Sequence, residues 1–117
     1  MYNNIIEKLT PASNDYIFVK TEYRLEKIKI SEILYIEGMN EYLRIVTEDK
    51  KVMTLRNFKS MEEILPKDNF LRVHKSYIVA IDKIESIERN RIKIQKMIIP
   101  ISDSHKEIFF NKIGMIK

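Results

Sequence analysis

From Tyr16 onward the apolar residues come in short runs that alternate with polar ones, and a period of two cannot line one face of a helix. In RLEKIKI, residues 24–30, Ile28 and Ile30 share one parity while Lys27 and Lys29 take the other, the pattern of a strand with one face in a core. The segments YIFVKT, RLEKIKI, EILYIE, EYLRIVTE and KVMTLR are followed, after one interruption, by FLRVH, SYIVAI, KIESIE, RIKIQ and KMIIPI. Ten such segments predict a mainly β chain, with about ten short strands in stacked sheets. SYIVAI is apolar at both parities and reads as a strand covered on both faces, and Arg89-Asn90-Arg91 reads as a hairpin turn.

The interruption is NFKSMEEILP, residues 57–66. Phe58, Met61, Ile64 and Leu65 fall on one side of a short helix, Asn57 can cap its start, and Pro66 lies just past its end. A closing helix is expected in SDSHKEIFFNKI, with Ser104 and Glu107 at the spacing of a capping box. One or two short helices therefore accompany the strands. A length of 117 residues suits one domain. It is placed at residues 16–117, behind a linker stub or short N-terminal helix and loop over residues 1–15.

Composition removes several classes of chemistry. With no cysteine and two histidines the chain has no Cys/His zinc site and no thiol chemistry, and no metal or cofactor is expected. No apolar run approaches the roughly 18 residues needed to cross a bilayer, so no membrane partner is expected. The start, MYNNIIEKL, lacks the basic and apolar regions of a secretory signal, which suits the cytoplasm. Catalysis has little to build on. His74, Asp82 and Glu85 sit on or beside strands of opposed direction, without a nucleophile, and no Gly-rich phosphate loop is present.

The net charge of +4 is unevenly spread. Residues 1–69 carry 11 Lys and Arg against 12 Asp and Glu, whereas residues 70–117 carry 10 against 5, which suggests a polyanion-facing half. Within that half, FLRVHKSYIVAI sets Arg72, His74 and Lys75 between two apolar runs. Strand parity puts Arg72 and His74 on one side, opposite Leu71 and Val73, at the end of a strand backed by a buried one. Cations held that rigidly suit phosphates. The plainer alternative pairs Arg72 with Glu62 or Glu63 and leaves His74 as a rim residue. In EGMNEYLR, residues 37–44, Asn40, Tyr42 and Arg44 supply an amide, an aromatic donor and a cation, which could read bases or simply make a polar loop.

The string FLRVHKSYIVAIDKIESIE, with ILYIEGMNEYLRI upstream and IIPIS downstream, resembles the LytTR family of bacterial DNA-binding domains, and the likeness runs from about Tyr16 to Ile113. The most specific element is Phe-x-Arg-x-His-x-Ser-Tyr, Phe70 to Tyr77, preceded by the Ile-Leu-Tyr-Ile-Glu strand. The resemblance implies sequence-specific binding of double-stranded DNA by loops that enter successive major grooves, as the output domain of a response regulator in a two-component system. It also implies paired repeats in the DNA, a homodimer on them, and an upstream receiver domain for which this chain has no room. The family's first base-reading loop corresponds to Asn40, Glu41 and Tyr42, with Arg44 nearby. The second places Lys75 toward a base and Arg72, His74 and Ser76 on phosphates, joined there by Arg89 and Arg91. The third corresponds to Ser102 and Asp103.

At Asp103 the sequence departs from many members, which carry a basic residue there. A carboxylate repels phosphate, so either it accepts from a cytosine amino group or it complements the dipole of the last helix. The rival to the DNA reading is a protein-interaction or dimerisation module that pairs through exposed strand edges.

Overall fold

Ile33–Met39 begins with four consecutive apolar residues, ILYI, and offers no polar face to water, so it must be covered on both sides. The computed structural model describes residues 15–114. The helical turns expected near the N-terminus lie outside the described residues. Ten strands are formed, β1 (Tyr16–Lys20), β2 (Leu25–Lys29), β3 (Ile33–Met39), β4 (Tyr42–Thr47), β5 (Lys51–Thr54), β6 (Phe70–His74), β7 (Tyr77–Ala80), β8 (Ser86–Glu88), β9 (Arg91–Ile94) and β10 (Met97–Pro100), with α1 (Phe58–Ile64) and α2 (Asp103–Lys112). This is the mainly β architecture expected from the alternation.

The strands form three antiparallel sheets. β3 is the middle strand of the largest, ordered β5-β4-β3-β7-β6. One face of this sheet is covered by the β1–β2 ribbon and α1, through Ile17, Val19, Ile28, Met61 and Leu65 packed with Ile33, Ile36, Ile45 and Ile78. The other is covered by β8-β9-β10 and α2, through Ile92, Ile94, Ile99 and Phe109 packed with Leu34, Tyr35, Val73 and Val79. Each fully buried Ile or Phe contributes about 1.5–3 kcal/mol.

Two bulges decide which side chains go where. Register passes from Ile33 opposite Thr47 to Tyr35 opposite Val46, so Leu34 is an extra residue, and Leu34 and Tyr35 enter the same core. A second irregularity falls between Arg72 and His74 in β6.

The internal helix forms where its spacing places it. Asn57 Oδ1 accepts from the Ser60 N–H at 2.9 Å, and Met61 is its fully buried contact. The closing helix starts two residues earlier than the capping-box spacing implies. Ser102 is the N-cap and Ser104 lies inside the first turn, so the Ser104/Glu107 capping box does not form. Ser102 makes no side-chain cap bond, and its Oγ meets His105 Nδ1 at 2.6 Å.

Gly38 marks a close approach. A Cβ there would lie 2.8 Å from Cε2 of Phe58, whose ring is packed against the core. Gly38→Ala should destabilise the domain by about 1–3 kcal/mol through overpacking. Adding Phe58→Leu should recover part of that loss in urea denaturation. Strictly additive losses would show that the two positions do not press on each other.

Candidate nucleic-acid interface

Four connections meet at one end of the central sheet. Asn40 and Glu41 join the paired ends Met39 and Tyr42, and Asn40 takes φ 54°, a conformation that Asn adopts more readily than most residues. Lys75 and Ser76 join the paired ends His74 and Tyr77. Because β3 lies beside β7, these two turns are neighbours, and the Gly38 N–H donates to the Ser76 carbonyl at 2.8 Å. The Ser102 N–H donates to the Val73 carbonyl at 2.9 Å and the Ile101 N–H to the Asn90 carbonyl at 2.9 Å, which adds the start of α2 and the β8–β9 turn. Asn40, Glu41, Tyr42, Lys75, Ser76, Ser102, Asp103 and Arg89 are thereby brought together from distant stretches of sequence. The β8–β9 turn is two residues, Arg89 and Asn90, with φ 55° and 60°, and Arg91 opens β9 instead of belonging to the turn as expected.

The cations there divide into two kinds. Lys75, Arg89 and Arg91 are exposed and, among the described residues, take part in no ion pair. Arg44 does not present a free charge. Its Nη2 and Nε donate to Glu37 Oε1 at 2.6 and 3.2 Å, and the carboxylate raises its already high proton affinity. Arg72 is also committed. Its Nε donates to the His74 carbonyl at 3.0 Å, its Nη2 to the Lys75 carbonyl at 2.5 Å, and its Cζ lies 4.0 Å from the centre of the Phe58 ring. This guanidinium braces the backbone of the turn that carries Lys75.

The strand parity that put Arg72 and His74 on one side does not hold, because the irregularity at Val73 intervenes. Arg72 stacks on Phe58, which packs against the α1-side core, whereas His74 lies 5.7 Å from the ring of Tyr77, which packs against the α2-side core. His74 Nδ1 accepts the Ser76 N–H at 3.0 Å, an arrangement that requires a neutral ring with its proton on Nε2. Burial first, then the charges of Lys75, His105 and Arg72, hold its pKa below the ordinary value. Asp103 stands in water at 99% side-chain exposure, 3.4 Å from Lys106 Nζ, as the first residue of α2.

Sequence reasoning missed the supporting residues. Glu37, 18% exposed at its side chain, accepts from the Tyr77 hydroxyl with Oε2 at 3.3 Å while holding Arg44 with Oε1. The signal was a carboxylate directly following four apolar strand residues, where partial burial demands partners.

The lowered pKa of His74 has a signed consequence. As pH falls through about 6.5, the unfolded chain takes up a proton that the fold refuses, so stability declines until the pH passes below the folded-state value. Thermal melts from about pH 7.5 to 5.5 should show a flatter decline in His74→Gln than in the unaltered protein. Parallel curves would mean that His74 titrates no differently in the two states.

A family model described as the LytTr DNA-binding domain matches residues 23–114. The chain is 27% identical over 85 residues to the transcriptional regulatory protein NatR of Bacillus subtilis (strain 168), covering 72% of this chain and 36% of that protein, so it spans little more than a third of that relative's length. Its fold is similar to the LytTr DNA-binding domain of a response regulator from Bacillus cereus, with a TM-score of 0.75 and 23% identity over 86% of this chain and 97% of that one. The family model covers most of the chain, so this protein belongs to the LytTR family of DNA-binding domains.

Proposed function

We propose that the domain, residues 16–117, reads duplex DNA with its converged turns, laying Asn40–Glu41, Lys75–Ser76 and the start of α2 into the major groove as the output domain of a bacterial transcriptional regulator. The observation that carries this reading is the hydrogen-bonded convergence of the β3–β4, β6–β7, β8–β9 and β10–α2 connections at one end, with Lys75, Arg89 and Arg91 exposed there and in no ion pair among the described residues. Lys75 and Asn40 face bases, since a lysine or an amide matches donor and acceptor edges in the major groove. Arg89, Arg91, the Ser76 hydroxyl and the His74 Nε2–H hold phosphates. Arg44 and Arg72, expected on phosphates, act instead as braces behind the turns. Tyr42, 42% exposed where β4 leaves the first turn, completes that loop.

At the third loop the exposed Asp103 serves the start of α2 and its neighbour Lys106, and Ser102 is engaged with His105. The full assembly in this reading is a regulator in the cytoplasm, with an upstream receiver domain, and a homodimer on paired repeats. The rival, a module that pairs through strand edges, would use the outer edges of β5 and β6 and would show no salt-dependent duplex binding.

If Lys75, Arg89 and Arg91 neutralise about two or three phosphates, log K against log salt should have a slope of roughly −2 to −3 on duplex DNA. A slope near zero would remove the reading and favour the rival.

Lys75→Ala should chiefly change the preferred base at one position, by about 1–3 kcal/mol of discrimination, whereas His74→Ala should weaken every duplex alike. Binding series on base-substituted duplexes at fixed salt, beside melting temperatures, measure both effects. Unaltered affinity and preference in both variants would take this turn out of the interface.

A further inference from the structure

We propose that Glu37 is a positioning residue for base readout, a carboxylate that fixes the β3–β4 turn relative to the β6–β7 turn. The inference rests on the reading of the converged turns as the DNA-facing surface. Where the paired strands end supplies the reason. The β3–β7 ladder stops at Glu37 opposite Tyr77, whereas β3 and β4 stay paired as far as Met39 opposite Tyr42. Beyond Glu37 the β3–β4 hairpin therefore projects past its neighbour as a two-stranded arm. On the β7 side its backbone is held by the Gly38 N–H to the Ser76 carbonyl. Asn40 and Glu41 form the tip of that arm.

Glu37 stands at the root of the arm, with both carboxylate oxygens in use. Oε1 holds Arg44, its register partner on β4, at 2.6 and 3.2 Å, and Oε2 accepts from the hydroxyl of Tyr77, its register partner on β7, at 3.3 Å. Tyr77 directly follows the Lys75–Ser76 turn and packs edge-on against Tyr35, so this end of the bridge is anchored in the core. On the other face of the sheet the Phe58 ring lies against the Gly38 position and carries the Arg72 guanidinium that braces the Lys75 turn. The Lys75 turn is thus fixed by the ladder and by Arg72. The Asn40 arm depends on the Glu37 bridge for its angle. A base-edge contact tolerates little misplacement, so a loosened arm loses discrimination while phosphate contacts elsewhere persist.

The experiment uses duplexes selected by the unaltered protein from a random library, each then substituted base by base. Asn40→Ala and Lys75→Ala first mark the positions each turn reads. Glu37→Gln keeps shape and removes the charge. It should reduce preference roughly three- to tenfold at the Asn40 positions, leaving preference at the Lys75 positions unchanged. Tyr77→Phe deletes one hydroxyl and keeps the packing, and should show the same pattern at smaller amplitude, so that a folding defect in one variant does not decide the outcome. A general loss of stability would lower affinity for every duplex alike and leave the preferences unchanged. That result, or an equal loss of preference at the Asn40 and Lys75 positions, would overturn the role of Glu37. If the unaltered protein selects no sequence at all, the reading of the turns as a DNA surface fails, and this inference with it.

Discussion

A strand that is apolar on both faces can be buried only in the middle of a sheet that is itself covered twice, and the rest of the architecture follows from β3 meeting that demand. Ile33 and Ile36 enter one core, Leu34 and Tyr35 the other. Two covering layers are therefore required, and the chain supplies one before and one after the central sheet. The β1–β2 ribbon precedes β3 in sequence, and β8-β9-β10 with α2 follows β7. Antiparallel pairing of β3 with both β4 and β7 then leaves the β3–β4 and β6–β7 turns at the same end, because both β4 and β7 begin where β3 ends. The site is a by-product of how a doubly apolar strand is hidden.

Much of this was legible because alternation survives in a single sequence. The ten segments read from period two correspond to the ten strands, and the 3.6-residue spacing of Phe58, Met61 and Ile64 marks the one internal helix with Asn57 at its cap. The loops carried over from the Phe-x-Arg-x-His-x-Ser-Tyr resemblance do converge, although they lie some 35 and 27 residues apart along the chain. Sequence separation says nothing about that proximity. It arises from the strand order, which local pattern does not encode.

The failures share one cause, a tertiary or backbone event that parity cannot see. A single extra residue at Val73 is enough to send Arg72 and His74 to opposite faces, since a shift of one residue inverts every side chain beyond it. Arg44 read as a free cation because its partner Glu37 is seven residues away in sequence and directly opposite in register. Ser104 had the spacing of a capping box, but Ser102, bonded to β6 through its own N–H, is the N-cap, two residues earlier. In each case the residue type was read correctly and its geometric partner was not.

On the proposed reading Arg44 and Arg72 brace the turns, which changes what the remaining charge can do. The unpaired cations at the reading end, Lys75, Arg89 and Arg91, stand near the exposed carboxylates Glu41 and Asp103, so the local excess of positive charge is small. The wider positive balance of residues 70–117 includes Lys96, which lies past the far end of β9 from the Arg89–Asn90 turn. Screening at about 0.1 M salt confines a surface charge to roughly 10 Å, so on the proposed reading Lys96 would steer a duplex toward the domain and contribute little once it is seated. On the proposed reading affinity and selectivity are thereby separated in space: a diffuse field would bring the polyanion in, and a few side chains, held at fixed angles by cations spent on the protein's own backbone and carboxylate, would decide which sequence stays.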